Sequence, residues 1–154
     1  MLFKNVGEYQ DIQYRNVISR YYTVSPEEMP DTYNAFLDEV RKAGYTLRGP
    51  FFYTINSKLE ENHDVLMELF IPVEEEYIEN ALPKDFLYHS LFQVLNTVST
   101  RILEPDDESV KEGISFLAGY IYYQGHCELT PPFFFTTISD GRVYTDIKVG
   151  VLKE

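Results

Sequence analysis

A half-chain repeat constrains this chain more than any other feature of its sequence. Ser25, Met29, Tyr33, Phe36, Val40 and Gly44 return 81 positions later as Asp106, Val110, Ile114, Leu117, Ile121 and Gly125. A capping residue falls on a capping residue, an apolar stripe on an apolar stripe, and a glycine on a glycine. Pro50-Phe51-Phe52-Tyr53-Thr54 returns as Pro132-Phe133-Phe134-Phe135-Thr136, and Glu68-Leu69-Phe70-Ile71-Pro72-Val73 as Asp146-Ile147-Lys148-Val149-Gly150-Val151. A duplication of this kind predicts two copies of one supersecondary unit with a seam between them, and ligand clefts often form at seams.

Each copy reads as strand, helix, strand, strand. In the first copy, residues 10–73, the stretch Ile12 to Thr23 is rich in Tyr, Val and Ile and reads as a strand. Ser25-Pro26-Glu27-Glu28 then opens a helix. Ser25 is the cap, Pro26 suits the first helical position and Glu28 completes a capping box. Met29, Tyr33, Phe36, Val40 and Ala43 give this helix one apolar face, and Gly44 ends it. Phe51 to Asn56 and Val65 to Val73 are the remaining strands. On the second of these, alternation places Met67, Leu69, Ile71 and Val73 on one face and Glu68 and Phe70 on the other.

An acidic joint over 74–84 leads to the second copy, residues 85–152. Helical spacing competes for the stretch from Phe86 through Ile102. The repeat register decides for a strand, with Val98, Thr100 and Arg101 falling on Val17, Ser19 and Arg20. Pro105-Asp106 opens the second helix. Phe133 to Ile138 and Arg142 to Leu152 make a hairpin across Ser139-Asp140-Gly141. The expected fold is α+β. Two tandem strand-helix-strand-strand repeats, within a single domain over 1–154, pair into a curved antiparallel sheet with both helices on one face.

Composition narrows the function. A chain of 154 residues buries roughly 70% of its extended-chain surface without staples. It carries 13 Tyr and 11 Phe with no Trp, so rings are available for a pocket as well as for the core. A net charge of −12 argues against nucleic acid and anionic membrane surfaces as partners. It permits a cationic ligand or a basic protein partner. Cys127 is alone, which excludes an intramolecular disulfide. Met1 to Gln10 holds no long apolar run, so neither a secretory signal nor a membrane span is expected, and the expected location is cytoplasmic. His63, His89 and His126 fall on different elements, so no metal site is expected. The chain has no Ser nucleophile elbow, Walker loop or dinucleotide fingerprint. No cofactor and no catalytic residue are therefore assigned.

Three features together resemble the GyrI-like small-molecule-binding domain. They are the duplicated strand-helix-strand-strand order, the aromatic strand entries Gly49-Pro50-Phe51-Phe52 and Pro131-Pro132-Phe133-Phe134, and the strand Glu68 to Val73. That domain is the ligand-sensing part of bacterial multidrug-responsive transcription regulators, and it also occurs alone, the form expected here. The resemblance covers residues 10 to 152. It implies a ligand held in a cleft between the repeats, stacked on rings near a buried carboxylate on the last strand of the second repeat. Asp146 matches that carboxylate. Lys148 stands where the family has an aromatic residue and Gly150 where it has Pro, and Lys148 is placed to neutralise Asp146. The first repeat keeps the full pattern at Glu68 and Phe70, so the carboxylate can be supplied there instead.

The candidate ligand-binding residues are Glu68, Phe70, Tyr53, Phe135, Tyr144, Asp146 and Lys148. A carboxylate buried among rings favours a lipophilic cation, through Coulomb attraction and cation–π contact. The alternative for Glu68 is a solvated outer face. Parity leaves open which rings of Phe51-Phe52-Tyr53 and Phe133-Phe134-Phe135 belong to the core. The leading expectation is a binding protein for amphipathic, cationic or aromatic small molecules. The second is an acidic partner for a basic protein with no small ligand. The third is a hydrolase using Glu68 as general base with a nearby Tyr.

Overall fold

The computed structural model describes residues 6–57, 63–76 and 82–152. Its strands are β1 (Val6–Val24), β2 (Phe52–Ile55), β3 (Val65–Pro72), β4 (Leu87–Leu103), β5 (Cys127–Glu128), β6 (Phe133–Ser139) and β7 (Arg142–Leu152). Its helices are α1 (Met29–Lys42) and α2 (Asp107–Tyr123). The strand pairs set out below are antiparallel, and the fold class is α+β. The chain forms two compact units. One is residues 13–92; the other is the chain up to Ile12 together with everything from Gln93 onward. β1 and β4 contribute residues to both. None of the described helices is long and apolar enough to cross a membrane.

In the unit of residues 13–92, β3 pairs with β1 along one edge, from Val17 opposite Pro72 to Val24 opposite Val65. Along the other edge it pairs with β2, from Phe52 opposite Phe70 to Ile55 opposite Met67. Alternation sends Met67, Leu69 and Ile71 into a core shared with Ile18, Phe36, Val40, Tyr45, Val73 and Phe86. Phe36 is fully buried in it. Its ring stacks on Phe86 at 5.9 Å and meets the edge of Tyr22 at 6.4 Å. The helix begins later than the capping pattern suggests. Pro26–Glu28 forms a single 3-10 turn in which Ser25 makes no side-chain cap. The Ser25 hydroxyl donates to Glu28 Oε1 at 2.7 Å, and the Glu28 N–H bonds the Ser25 carbonyl at 3.0 Å rather than the hydroxyl of a capping box.

In the second unit β7 has several partners. It pairs with β6 from Phe133 opposite Lys148 to Ser139 opposite Arg142, and with β4 from Thr97 opposite Gly150 to Leu103 opposite Tyr144. The short β5, which the sequence reading lacked, adds Cys127 opposite Leu152. Here the capping box is real. Asp106 accepts from the Ser109 N–H at 2.7 Å, and Ser109 Oγ accepts from the Asp106 N–H at 2.9 Å. The helix packs closely on its strands at Gly113, where a Cβ would lie 2.8 Å from Ile102 Cδ1 and 3.0 Å from Ile147 Cδ1.

The two registers differ in one respect from the repeat as read in the sequence. Adding 80 to Val17, Ser19 and Tyr21 gives Thr97, Ser99 and Arg101. Adding 78 to their partners Pro72, Phe70 and Glu68 gives Gly150, Lys148 and Asp146, which are the partners observed. The offset along this strand is therefore 80, not the 81 of the helices, and Ser99 rather than Thr100 corresponds to Ser19. Asn16 and Asn96, also 80 apart, both hold a left-handed backbone with φ of 58° and 56°, a conformation asparagine tolerates better than most residues. The odd residue enters between β4 and α2, where Glu104 is left-handed as well, with φ of 50°.

Truncating Phe36 to Ala is expected to cost about 3–5 kcal/mol, the usual range for a fully buried ring, read as a lower urea midpoint at unchanged slope. The Asp106 carboxyl is held below its ordinary range, chiefly by the Ser109 N–H. Its contribution to stability is complete above the unfolded carboxyl pKa and is lost as pH falls through the folded one. Asp106→Asn, which keeps the acceptor, is expected to flatten that part of the acid limb in thermal melts between pH 2 and 5.

Candidate functional site

The face of β3 turned away from α1 carries Glu68 and Phe70, and the strand register decides what joins them. Tyr21 of β1 and Thr54 of β2 stand opposite Glu68; Ser19 of β1 and Phe52 of β2 stand opposite Phe70. Glu68 is only 8% exposed, so the solvated-face alternative does not apply. Ser19, fully buried, donates its hydroxyl to Glu68 Oε2 at 2.8 Å. The Tyr21 hydroxyl also bonds the carboxylate, which together with burial pushes its phenol above the ordinary value. Among the described residues no Lys or Arg forms an ion pair with Glu68.

The remainder of the face is aromatic. Phe52 and Phe70 stack in parallel at 4.8 Å. Phe92 of β4 lies 4.8 Å from Phe70 and 5.7 Å from Phe52. His89, also on β4, meets the edge of Phe92 at 6.0 Å, and its Nε2 is 2.9 Å from Ser19 Oγ. The Thr54 hydroxyl, buried opposite Glu68, has no hydrogen-bond partner among the described residues. The site therefore combines a desolvated carboxylate, an unsatisfied hydroxyl and a wall of rings.

Serine, histidine and glutamate in one chain of hydrogen bonds suggest acyl transfer, but their order is wrong for it. A nucleophilic serine gives its proton to histidine, and the carboxylate orients that histidine. Here Ser19 is in the middle and gives its proton to the carboxylate. With no accessible surface, its oxygen also cannot reach a substrate. Ser19 is therefore not placed to act as a nucleophile.

The other unit places Asp146, Lys148 and Tyr144 on one face of β7, with Phe133, Phe135 and Thr137 of β6 and Ser99 and Arg101 of β4. Asp146 is neutralised, but not by Lys148. Arg101 grips it with two bonds, Nε to Oδ1 at 2.8 Å and an Nη to Oδ2 at 3.0 Å, and this pairing raises the guanidinium pKa. The Arg101 guanidinium also lies 5.3 Å from the centre of the Tyr144 ring, and Lys148 Nζ lies 5.0 Å from that of Phe135.

The sequence candidates thus separate. Glu68 and Phe70 are together. Tyr53 is not with them: it stands opposite Leu69, packs with the α1 core and stacks on Tyr33 at 5.1 Å. Phe52 and Thr54 take its place beside Glu68. Ser19, His89 and Phe92 were missed because only the packing of β4 against β1 brings them to Glu68. A recess of about 350 Å³ opens elsewhere in the same unit, lined by Gln13, Arg15, Asn16, Glu76, Ser90 and Leu91. None of the Glu68 cluster borders it. Most of its lining side chains are exposed and polar, whereas the Glu68 face holds a buried carboxylate with no cationic partner among the described residues, so the chemistry points to Glu68.

The fold has solved relatives. The chain is similar to EcmrR in a DNA complex with a TM-score of 0.79 and 16% identity, over 99% of this chain and 59% of that one. It is similar to the EcmrR C-terminal domain with a TM-score of 0.70 and 18% identity, over 95% and 99% of the two chains. A hydrolase from Listeria innocua follows with a TM-score of 0.58 and 10% identity, over 94% and 92%. The chain thus spans 59% of the length of the EcmrR chain in the DNA complex. At these identities the likeness establishes the fold: it is that of the EcmrR C-terminal domain, which supports the GyrI-like fold that the motifs resemble. By sequence, the chain belongs to the family described as domain of unknown function DUF5085, whose profile matches residues 13–153. No curated protein matches it.

Ser19→Ala is expected to lower stability by about 1–3 kcal/mol, because it strips a buried carboxylate of a donor. Arg101→Ala, at a largely exposed guanidinium, is expected to cost under about 1 kcal/mol. Urea unfolding of the two variants side by side checks the contrast.

Proposed function

We propose that this protein binds small amphipathic cations, and that the Glu68 face supplies the charge and the rings that hold them. The observation that carries this reading is the state of Glu68: buried, bonded by Ser19 and Tyr21, and facing no cation among the described residues. A carboxylate in such a place costs folding energy unless something neutralises it. A lipophilic cation does so, and the rings with accessible surface beside the buried Phe52–Phe70 stack, Tyr21 and Phe92, offer it an apolar, π-rich surface. Asp146, occupied by Arg101, has no comparable charge to offer, so the first half of the chain takes the role that the resemblance assigned to the second.

Other features support the same reading. The fold shared with the EcmrR C-terminal domain and the GyrI-like motifs fit an effector-binding domain. The matching registers at Tyr21–Glu68 and Arg101–Asp146 fit two copies of one strand-helix-strand-strand plan. The protein is a binder in this account, and Ser19, whose hydroxyl points its proton at Glu68, is not a nucleophile.

Tetraphenylphosphonium is the probe. At 100 times its dissociation constant a ligand adds ~2.7 kcal/mol of stability, which raises the melting temperature of a domain this size by roughly 5–11 °C. That rise is expected for the parent protein and is expected to vanish in Glu68→Gln. A parent protein that melts at the same temperature with and without millimolar probe overturns the proposal.

A further inference from the structure

His89 is linked to Glu68 through a single hydroxyl. Ser19 has one proton, and the carboxylate takes it at 2.8 Å. The contact between Ser19 Oγ and His89 Nε2 at 2.9 Å must then be made by a hydrogen on Nε2, which donates to the serine oxygen. Were Nε2 bare, it would face only lone pairs. The tautomer is thereby fixed, and the proton that His89 gains or loses with pH sits on Nδ1. The chain of bonds stays intact in both charge states. Protonation puts a positive charge one hydroxyl away from Glu68 without moving a side chain.

We infer that His89 is the built-in counter-charge of Glu68, and that its protonation and the binding of a cation at that face exclude one another. The second half of this inference rests on the proposed function. When His89 is charged, the carboxylate is already compensated and a ligand cation gains little; when His89 is neutral, the carboxylate is available. Binding a cation therefore expels the Nδ1 proton, and affinity rises with pH as His89 loses that proton.

The neighbouring groups leave this coupling to Glu68. From β3, Glu68 is the ionisable residue on this face; from β1 they are the Tyr21 phenol, itself bonded to Glu68, and the Tyr14 phenol, which packs on Phe52 at 5.6 Å and which burial pushes above its ordinary value, so it stays neutral. Arg20 of β1 lies on the opposite face, over the Tyr22 and Phe86 rings and 3.6 Å from Glu39. β2 brings Phe52 and Thr54, which do not titrate. On β4, Tyr88 points away, its hydroxyl 2.9 Å from Asn16 Oδ1 and 2.7 Å from the Glu75 carbonyl. Arg15 and Glu76 line the separate recess with Ser90 and Leu91. The ring contacts of His89, with Phe70 at 6.5 Å and Phe92 at 6.0 Å, carry no charge.

The test begins without ligand. His89 is titrated by NMR in the parent, Glu68→Gln and Ser19→Ala, with His126 as internal reference. The expected result is a lower His89 midpoint in both variants, since one removes the charge and the other its connection. Unchanged midpoints overturn the inference whatever the ligand does. Calorimetry with tetraphenylphosphonium at pH 5.5 and 7.5, in buffers of different ionisation heat, follows. The parent is expected to bind more tightly at the higher pH, by up to about tenfold per unit below the His89 midpoint, and to release a proton at pH 5.5. In His89→Gln the difference between the two pH values is expected to collapse. Tight binding that is equal at both pH values and releases no proton overturns the inference and leaves the proposed function standing. No binding at either pH overturns the proposed function and the ligand half of the inference together, while the titration alone decides the pairing of His89 with Glu68.

Discussion

Taking a carboxylate out of water costs several kcal/mol unless a cation or enough donors meet it. Glu68 is met by two hydroxyls, from Ser19 and Tyr21, and by no cation among the described residues. Everything proposed for this protein depends on that imbalance. Hydroxyl donors make the burial tolerable; they do not cancel the charge. A leucine at the same place would pack on Phe70 and Phe52 at no such cost. A cluster of this kind breaks the agreement between burial and polarity that an ordinary core shows, and such breaks mark working sites more often than structural ones.

The fold explains how Glu68 is held so firmly. β3 lies between β1 and β2, so its backbone is bonded along both edges and its side chains cannot rotate to the other face. Met67, Leu69 and Ile71 are committed to the core under α1. Alternation then fixes Glu68 and Phe70 on the opposite side. Slipping β3 by one residue would release the carboxylate to the other face only by pulling Met67 and Leu69 out of that core. The apolar half of the strand thus enforces the position of its polar half. In the second unit the same position on β7 is filled by Asp146, and an arginine opposite it removes the imbalance.

Much of this was legible in the sequence because it depends on local rules. The alternation from Val65 to Val73 gives both faces of β3. Asp106, the counterpart of Ser25 in the repeat, gives a capped helix, and the apolar spacing from Met29 to Ala43 gives the buried side of α1. What was not legible depends on register between distant strands. Whether Tyr53 or Phe52 accompanies Glu68 is a matter of parity on a strand of four residues, and no local signal sets it. The partner of Asp146 shifted from Lys148 to Arg101 because the repeat offset on the first strand is 80 and not 81, and the extra residue before α2 leaves no mark in the helical pattern. His89 looked isolated for the same reason. Ser19 lies 49 residues from Glu68 and 70 from His89, and only tertiary packing makes the three neighbours.

The central claim is that Glu68 is kept for a ligand and at the expense of stability. Unfolding Glu68→Met and the parent in urea without ligand at pH 7.5 tests it directly. Once the carboxylate is gone, Ser19 is free to turn its proton to His89 Nε2, whose hydrogen then moves to Nδ1, and the Tyr21 hydroxyl, on a side chain half exposed to solvent, reaches water. No buried donor is stranded. The account predicts that Glu68→Met is as stable as the parent or more stable. A loss above about 3 kcal/mol, the scale for breaking a buried charged network, would contradict it and make Glu68 a structural residue.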